Sequence, residues 1–277
     1  MLDEVKRLAG LQDHRARVRE AADLLTKLQA SVVETARIRR ESITWLRGNG
    51  YSMADVAELM GVSRARVAQL KDAGPPPERA FLGVGAVRVA VPERAGGRRL
   101  VARADSAAGQ RVLSLAHRLG LDGELEYIPV SGDIDLNRDN LVVICGPKSS
   151  PVTAKALAAD PHLSFEELPD GRWVMIERAS GRHFTSPSDE PGAPRSADVA
   201  YLGRLPRPDR AGSFLYVAGV HSIGSLGAVT YLSEHLPQLY DELGNETFSM
   251  VVASEYDEAT EEILSTTALT QPLRQAG

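Results

Sequence analysis

Two regions of this chain carry residue types at spacings that suit recognition chemistry. In YSMADVAELMGVSRARVAQLKDAG, Ser52 and Ser63 stand where helices would begin. A serine there caps the helix and places a hydroxyl at its positive end, where a phosphate oxygen can bind. Arg64, Arg66, Gln69 and Lys71 fall on the expected exposed positions of the second helix, and Arg47 lies shortly before the first. Arginine can pair bidentately with guanine and glutamine with adenine, so these side chains carry groups that base edges can accept.

The second region consists of two strand-loop-helix junctions. In Cys145-Gly146-Pro147-Lys148-Ser149-Ser150-Pro151-Val152-Thr153, an apolar run ends at Gly146 and a helix begins with Pro151 at its first position. Lys148, Ser149, Ser150, Thr153 and backbone N–H groups would converge there on an anion. In Gly219-Val220-His221-Ser222-Ile223-Gly224-Ser225-Leu226-Gly227, Gly219 and Gly224 would let backbone approach a ligand beside His221, Ser222 and Ser225. Both junctions would sit at the carboxyl ends of strands, where open parallel sheets bind ligands. Neither has the spacing of a Walker A loop or of G-x-G-x-x-G. The expectation is a small anionic ligand, a nucleotide among the options, with no cofactor assigned.

Other residues have chemistry available but a simpler role at hand. His221 is placed to act as a base or a ligand contact. Ser222 and Ser225 show no triad order, and there is no G-x-S-x-G elbow. Glu255, Asp257 and Glu258 would enter the same cleft or merely open a final helix. Asp133, Asp135, Asn137, Arg138 and Asp139 approach calcium-loop spacing but lack the turn glycine and the downstream glutamate, so no metal is expected. Arg204, Arg207 and Arg210 would clamp a polyanion or lie in a solvated loop. Cys145 reads as a buried thiol. No catalytic residue is assigned, and the balance leans away from an enzyme.

These side chains need elements to position them. Residues 3–46 read as one long helix at 1–41 and beyond, free of proline, with Leu11, Val18, Leu25 and Val32 seven apart and Leu8, Ala22, Leu28 and Ala36 beside them. That is a narrow seam for dimerisation, or a face for its own domain. Gly48-Asn49-Gly50 ends this helix. Ser52 and Asp55 form a capping box for a second, with Met53, Val56, Ala57, Leu59 and Met60 as its apolar face. Gly61 makes the turn, and a third helix runs from Arg64 to Lys71 with Ala65, Val67, Ala68 and Leu70 apolar. Gly74 stops it, and Pro75-Pro76-Pro77 opens a linker over 75–80. The helix-turn-helix module is thus 42–74.

Residues 81–277 alternate strand-like and helix-like runs, which implies an α/β domain, three-layered and Rossmann-like, with a mainly parallel sheet. Strands are expected at 86–92, at 99–103 as a hairpin partner across Gly96-Gly97, and at 124–129, 140–145, 163–168, 173–177, 199–205, 213–220 and 248–253. Helices are expected at 107–119, 151–159, 223–236 and 259–264. Residues 179–197 are expected to be a long loop or lid.

The helix-turn-helix segment resembles region 4 of bacterial sigma factors, on Ala57, Gly61, Val62-Ser63, Val67 and Leu70, over about 30 residues. The wider arrangement, with GPPPERAF and an α/β domain following, resembles a recurrent actinobacterial type. The resemblance implies contact with double-stranded DNA and a regulator architecture, with Arg64, Arg66, Gln69 and Lys71 facing the major groove and its backbone and Ser52 and Arg47 near phosphates. A single module offers little surface, so a homodimer or higher homo-oligomer is expected.

Charge agrees with this division. The chain carries 32 Lys/Arg and 37 Asp/Glu over 277 residues. Residues 1–80 hold 14 of the bases and 11 of the acids, a net +3, and residues 81–277 a net -8. That excludes a protein coating nucleic acid over its whole surface but allows a basic module on an acidic body. No apolar run is long enough for a membrane span, and one cysteine allows no internal disulfide, so a cytoplasmic protein is expected. Two other classes stay open at this stage: a nucleotide-processing effector with a TIR-like or SLOG-like domain, and an assembly protein built on the helical seam.

Overall fold

The structure is a computed structural model that describes residues 2–96, 100–190, 192 and 196–275. It divides into two compact units, Met1–Pro77 and Glu78–Gly277.

The first unit is all helix. The expected single helix over 3–46 is two: α1 (Leu2–Ala9) and α2 (His14–Gly48). Gly10 and Leu11 close the first, and Asp13 caps the second by accepting from Arg15 N at 2.8 Å. α3 (Met53–Met60) and α4 (Arg64–Ala73) follow. Ile43, Val56, Ala57 and Val67 form their common core. Leu59, expected on that face, is instead 68% exposed. Gly74 is held close to α2, where a Cβ would come within 2.9 Å of Ala36 O. The Arg40 guanidinium donates to Gly74 O at 2.6 Å, which fixes the end of α4.

The second unit starts with a short 3-10 turn, Pro77–Leu82, whose Phe81 and Leu82 are buried in its core. The end of the expected linker therefore belongs to the α/β unit. The elements then run β1 (Val87–Pro92), α5 (Arg103–Arg118), β2 (Gly123–Ile128), β3 (Leu141–Ile144) and α6 (Pro151–Ala158). Next come β4 (Leu163–Glu167), β5 (Trp173–Glu177), β6 (Arg182–Thr185), β7 (Ala197–Pro206) and β8 (Ser213–Gly219). The chain finishes with α7 (Ser222–Leu243), β9 (Phe248–Tyr256), β10 (Ile263–Ala268) and β11 (Leu273–Arg274).

The main sheet has eight strands in the order β10-β9-β7-β8-β3-β1-β2, with β11 also on β9. β2, β1, β3 and β8 pair in parallel. β7 lies antiparallel between β8 and β9, so β9 shares the direction of β8. Five of the eight strands thus run one way, and the sheet is mixed with a parallel centre. α5 and α7 pack over one face around Val89, Val112, Val142, Val217 and Val229. Leu157 of α6 and the three-stranded sheet β4-β5-β6 close a second core around Val143, Met175, Phe184 and Tyr216. The valine-rich strands are apolar on both faces because both are covered.

Several expected elements differ. Arg94 and Leu100 make only an isolated bridge, and Arg103 begins α5, so the described part of the expected strand, residues 100–103, forms none. Gly97, Arg98 and Arg99 lie outside the described residues. The expected lid at 179–197 contains β6, which completes a hairpin with β5. α7 continues through Pro237, because Leu239, Tyr240 and Leu243 beyond it are buried in the core. The expected helix at 259–264 is a turn leading into β10. Asp257 accepts from Ala259 N and Thr260 N at 3.0 and 2.8 Å and turns the chain back onto β9.

Candidate functional site

The helix-turn-helix geometry follows from its caps. Ser52 Oγ accepts from Asp55 N at 3.1 Å, and the Asp55 carboxylate accepts from Ser52 N at 2.7 Å. These bonds, led by the one from the Ser52 backbone, hold the Asp55 carboxyl below its ordinary value. Gly61 takes the left-handed conformation at φ +63°, which a side chain would strain. Ser63 Oγ accepts from Arg66 N at 3.2 Å, so the cap uses the oxygen as acceptor and leaves the O–H to donate outward.

Along α4, Val67 is fully buried while Arg64, Arg66, Gln69 and Lys71 are exposed. At ~100° per residue, Gln69 lies nearly opposite Val67 and Arg66 about 100° to its side, while Arg64 and Lys71, three residues before and four after Val67, lie toward its side of the helix. Arg66 and Gln69 touch at 3.3 Å. Arg47, also exposed, donates to Tyr51 O in the turn before α3, so it approaches a phosphate only from that tethered position. All seven residues expected at the DNA surface are brought onto this one module.

The first expected anion cradle is closed by its own side chains. Ser150 is fully buried, accepts from Thr153 N at 3.2 Å and donates to Gly132 O at 2.5 Å. Thr153 Oγ1 donates back to Ser150 O at 3.1 Å. Ser149 N donates to Gly146 O at 3.0 Å, which leaves Gly146 as part of a tight turn. Lys148 reaches across to the second junction, donating to Val220 O at 3.2 Å.

The second cradle is occupied from within. Asp198, at the start of β7, is fully buried, and its Oδ2 accepts from His221 N and Gly224 N at 2.9 Å each. The carboxylate thus takes the place at the α7 N-terminus that an external anion would need. Burial raises the Asp198 carboxyl, with His221 and Ser186 opposing. Ser225 Oγ accepts from Gly219 N at 2.9 Å. A Cβ on Gly219 would lie 2.1 Å from His221 O, and one on Gly224 2.4 Å from Asp198 Oδ2. Ser150, Thr153, Gly219, Gly224 and Ser225 therefore build the fold rather than face a ligand. His221 Nε2 meets Asp189 Oδ1 at 2.9 Å.

Beside these junctions lies a cleft of about 370 Å³. Arg94, Arg103, His221, Ser222, Tyr256 and Glu261 are among its lining residues. It sits between the N-terminal ends of α5 and α7. Arg103 donates to Thr260 O at 3.3 Å and lies 3.8 Å from Glu261. Asp105 of α5, two residues beyond Arg103, has a side chain only 7% exposed, 3.7 Å from the Arg94 guanidinium. Burial pushes its carboxyl up to about 6, with Arg94 and then Lys148 opposing. Of the expected acids, Glu258 lines the cleft and Asp257 is committed to its turn. Sequence reasoning missed both Asp105 and Asp198, since neither stands in a recognisable motif.

The remaining candidates are structural. Arg204 donates to Phe81 O at 2.7 Å and stacks 4.6 Å over the Phe81 ring, and burial draws it down to about 10. Arg207, 8% exposed at the side chain, is held by Asp139 and Asp209. Neither joins Arg210 in a clamp. Arg138 pairs with Glu126, Ser131 donates to Asp133, and Asp135 accepts from Asn137 N, which stitches down the acidic loop. Among the described residues no cluster of three His, Cys, Asp or Glu could hold a metal, and no helix is long and apolar enough to cross a membrane. Burial pushes the Cys145 thiol up to about 12, so it is a poor nucleophile.

No family model matches the chain, and neither a curated protein nor a solved structure is found to match it.

Proposed function

We propose that this protein is a DNA-binding transcriptional regulator that acts as a homodimer in the cytoplasm. Its second unit, Rossmann-like in layout, binds a small anionic ligand. The observation that carries the reading is α4, which exposes Arg64, Arg66, Gln69 and Lys71 while Val67 is fully buried. Arg66 and Gln69 read base edges, while Arg64, Lys71, Arg47, Ser52 and Ser63 hold phosphates. Val18, Leu25 and Val32, seven apart on α2 and 71%, 59% and 69% exposed, support a seam with a second copy. A ligand that prefers one dimer geometry then shifts DNA affinity.

The test is anisotropy with labelled duplex from the gene's own upstream region, at two salt concentrations, beside the Arg64→Ala/Arg66→Ala variant. The expected result is binding tighter than to random duplex, weakened by salt, and reduced at least about tenfold in the variant. Equal binding of upstream and random duplex, or a variant that binds like wild type, rejects it.

A further inference from the structure

A cavity of about 280 Å³ lies between α6 and the β4-β5 hairpin, separate from the cleft beside His221. Ala154, Leu157 and Ala158 of α6 line one side of it, and Phe165 and Trp173 line the other. Ala154 and Ala158 are four apart and share a face of α6, so their short side chains leave the space open. Glu167 pairs with Trp173 and Phe165 with Met175 across the hairpin, which puts Phe165 and Trp173 on one face of it. Their ring centroids are 5.6 Å apart at 48°. Aliphatic residues facing a tilted aromatic pair make a lining that excludes water and suits a flat ring.

The polar part of the lining is small and specific. Arg178 follows β5, and its Nε donates to the backbone oxygen of the buried Asp160 at 3.0 Å. That bond holds the guanidinium, while among the described residues nothing bonds its two terminal nitrogens. Glu166, which also lines the cavity, accepts from Ser164 Oγ at 2.8 Å. One guanidinium with free N–H groups matches one carboxylate through two parallel bonds. A doubly charged phosphate would find no second cation here and would meet the Glu166 carboxylate. The volume, about 280 Å³, falls just below the range of drug-sized sites, roughly 300 to 1,000 Å³, and so fits a small ligand.

We propose that this cavity binds a small aromatic carboxylate, with its ring between Ala154, Ala158 and the Phe165–Trp173 wall and its carboxylate on Arg178. This gives a chemical class and a place to the anionic ligand of the regulator reading above, and rests on that reading only for its consequence. The binding itself is tested without DNA, so the two fail separately.

The experiment is a titration of the full chain near neutral pH, read from Trp173 emission in a Trp45→Phe background, since these are the chain's two tryptophans. The probes are phenylacetate, benzyl alcohol, phenyl phosphate and acetate. Phenylacetate is expected to shift the emission saturably and to bind at least about tenfold more tightly than acetate, because its ring is buried. It is expected to exceed benzyl alcohol and phenyl phosphate by at least about fivefold, because only the carboxylate matches Arg178. Arg178→Gln is expected to erase the preference for phenylacetate over benzyl alcohol and to leave benzyl alcohol binding unchanged. Ala158→Leu, at an exposed helix position, is expected to fill the space and abolish the response to every probe. An emission that no probe changes, benzyl alcohol or phenyl phosphate bound as tightly as phenylacetate, or either variant titrating like its parent overturns the proposal. Should Arg178→Gln fail to fold, Ala158→Leu and the order of the probes on the parent still decide it. Duplex binding measured on the same samples shows whether the regulator reading stands or falls by itself.

Discussion

Replacing Asp105 with Asn should stabilise the ligand-free protein near neutral pH. The side chain is 7% exposed, and its carboxyl is raised from 3.8 to about 6, mainly by burial. That rise from 3.8 to about 6 corresponds to about 3 kcal/mol against the folded state above the folded value, at about 1.4 kcal/mol per unit. Asn keeps the shape and removes the charge, so about 1 to 3 kcal/mol of this should return. The folded-state value is the higher one, so as pH falls the native carboxyl takes its proton before the unfolded chain does. Wild type therefore gains on the variant as pH drops through about 6, and the gap closes fully only below 3.8, the value of the unfolded carboxyl. Between about pH 7.5 and about pH 4.5, roughly 2 kcal/mol of the difference should disappear. Urea unfolding followed by tryptophan fluorescence measures it. The chain has two tryptophans, Trp45 in the first unit and Trp173 in the second. A Trp45→Phe background makes the signal report on the second unit alone, and Trp45 is 62% exposed, so its loss costs little. An Asn variant that is less stable than its parent at about pH 7.5, or a gap that does not change with pH, refutes the reasoning. It would mean that Asp105 is held as a charge by partners stronger than Arg94.

Leu25→Asp, at the centre of the exposed α2 stripe, should convert a dimer to a monomer in sedimentation velocity and weaken DNA binding without changing helix content by circular dichroism. Lys71→Ala should weaken duplex binding about equally across sequences and reduce the salt slope by about 1, whereas Gln69→Ala should relax the preference at one base position. Asp198→Ala should destabilise the second unit by at least about 2 kcal/mol in the same urea assay, because the His221 and Gly224 amides lose their buried acceptor. Ser52→Ala should cost the first unit about 1 kcal/mol through loss of the capping box, read from Trp45 fluorescence.

The helix-turn-helix module was legible because its determinants are local. Ser52 with Asp55, Gly61, and Ser63 with Arg66 each act within three residues of chain, and the structure contains each of those contacts. The parallel strands were legible for a related reason, since runs such as Leu141–Ile144 are apolar on both faces only where both are covered. The errors arise where a distant partner overrides a local signal. Pro237 ends a helix by local rules, but the core beyond it keeps α7 intact to Leu243. Ala259–Leu264 has helical composition, but β9 offers an unpaired edge and the chain takes it.

The same distinction governs the ligand site. Both junctions have the serine and glycine content of an anion cradle, the first with Lys148 besides, and composition cannot reveal whether the amides at a helix end are already taken. Asp198 lies 23 residues before the His221 amide it holds, and Ser150 bonds Gly132 O across 18. Those internal partners remove two helix ends from consideration, and they shift attention to α5, which the sequence marks with nothing more than Ala102. What distinguishes α5 is therefore an absence of local capping combined with an acid, Asp105, whose burial depends on the sheet around it. Whether the amides at a helix end are already occupied from within is something that only tertiary structure can expose.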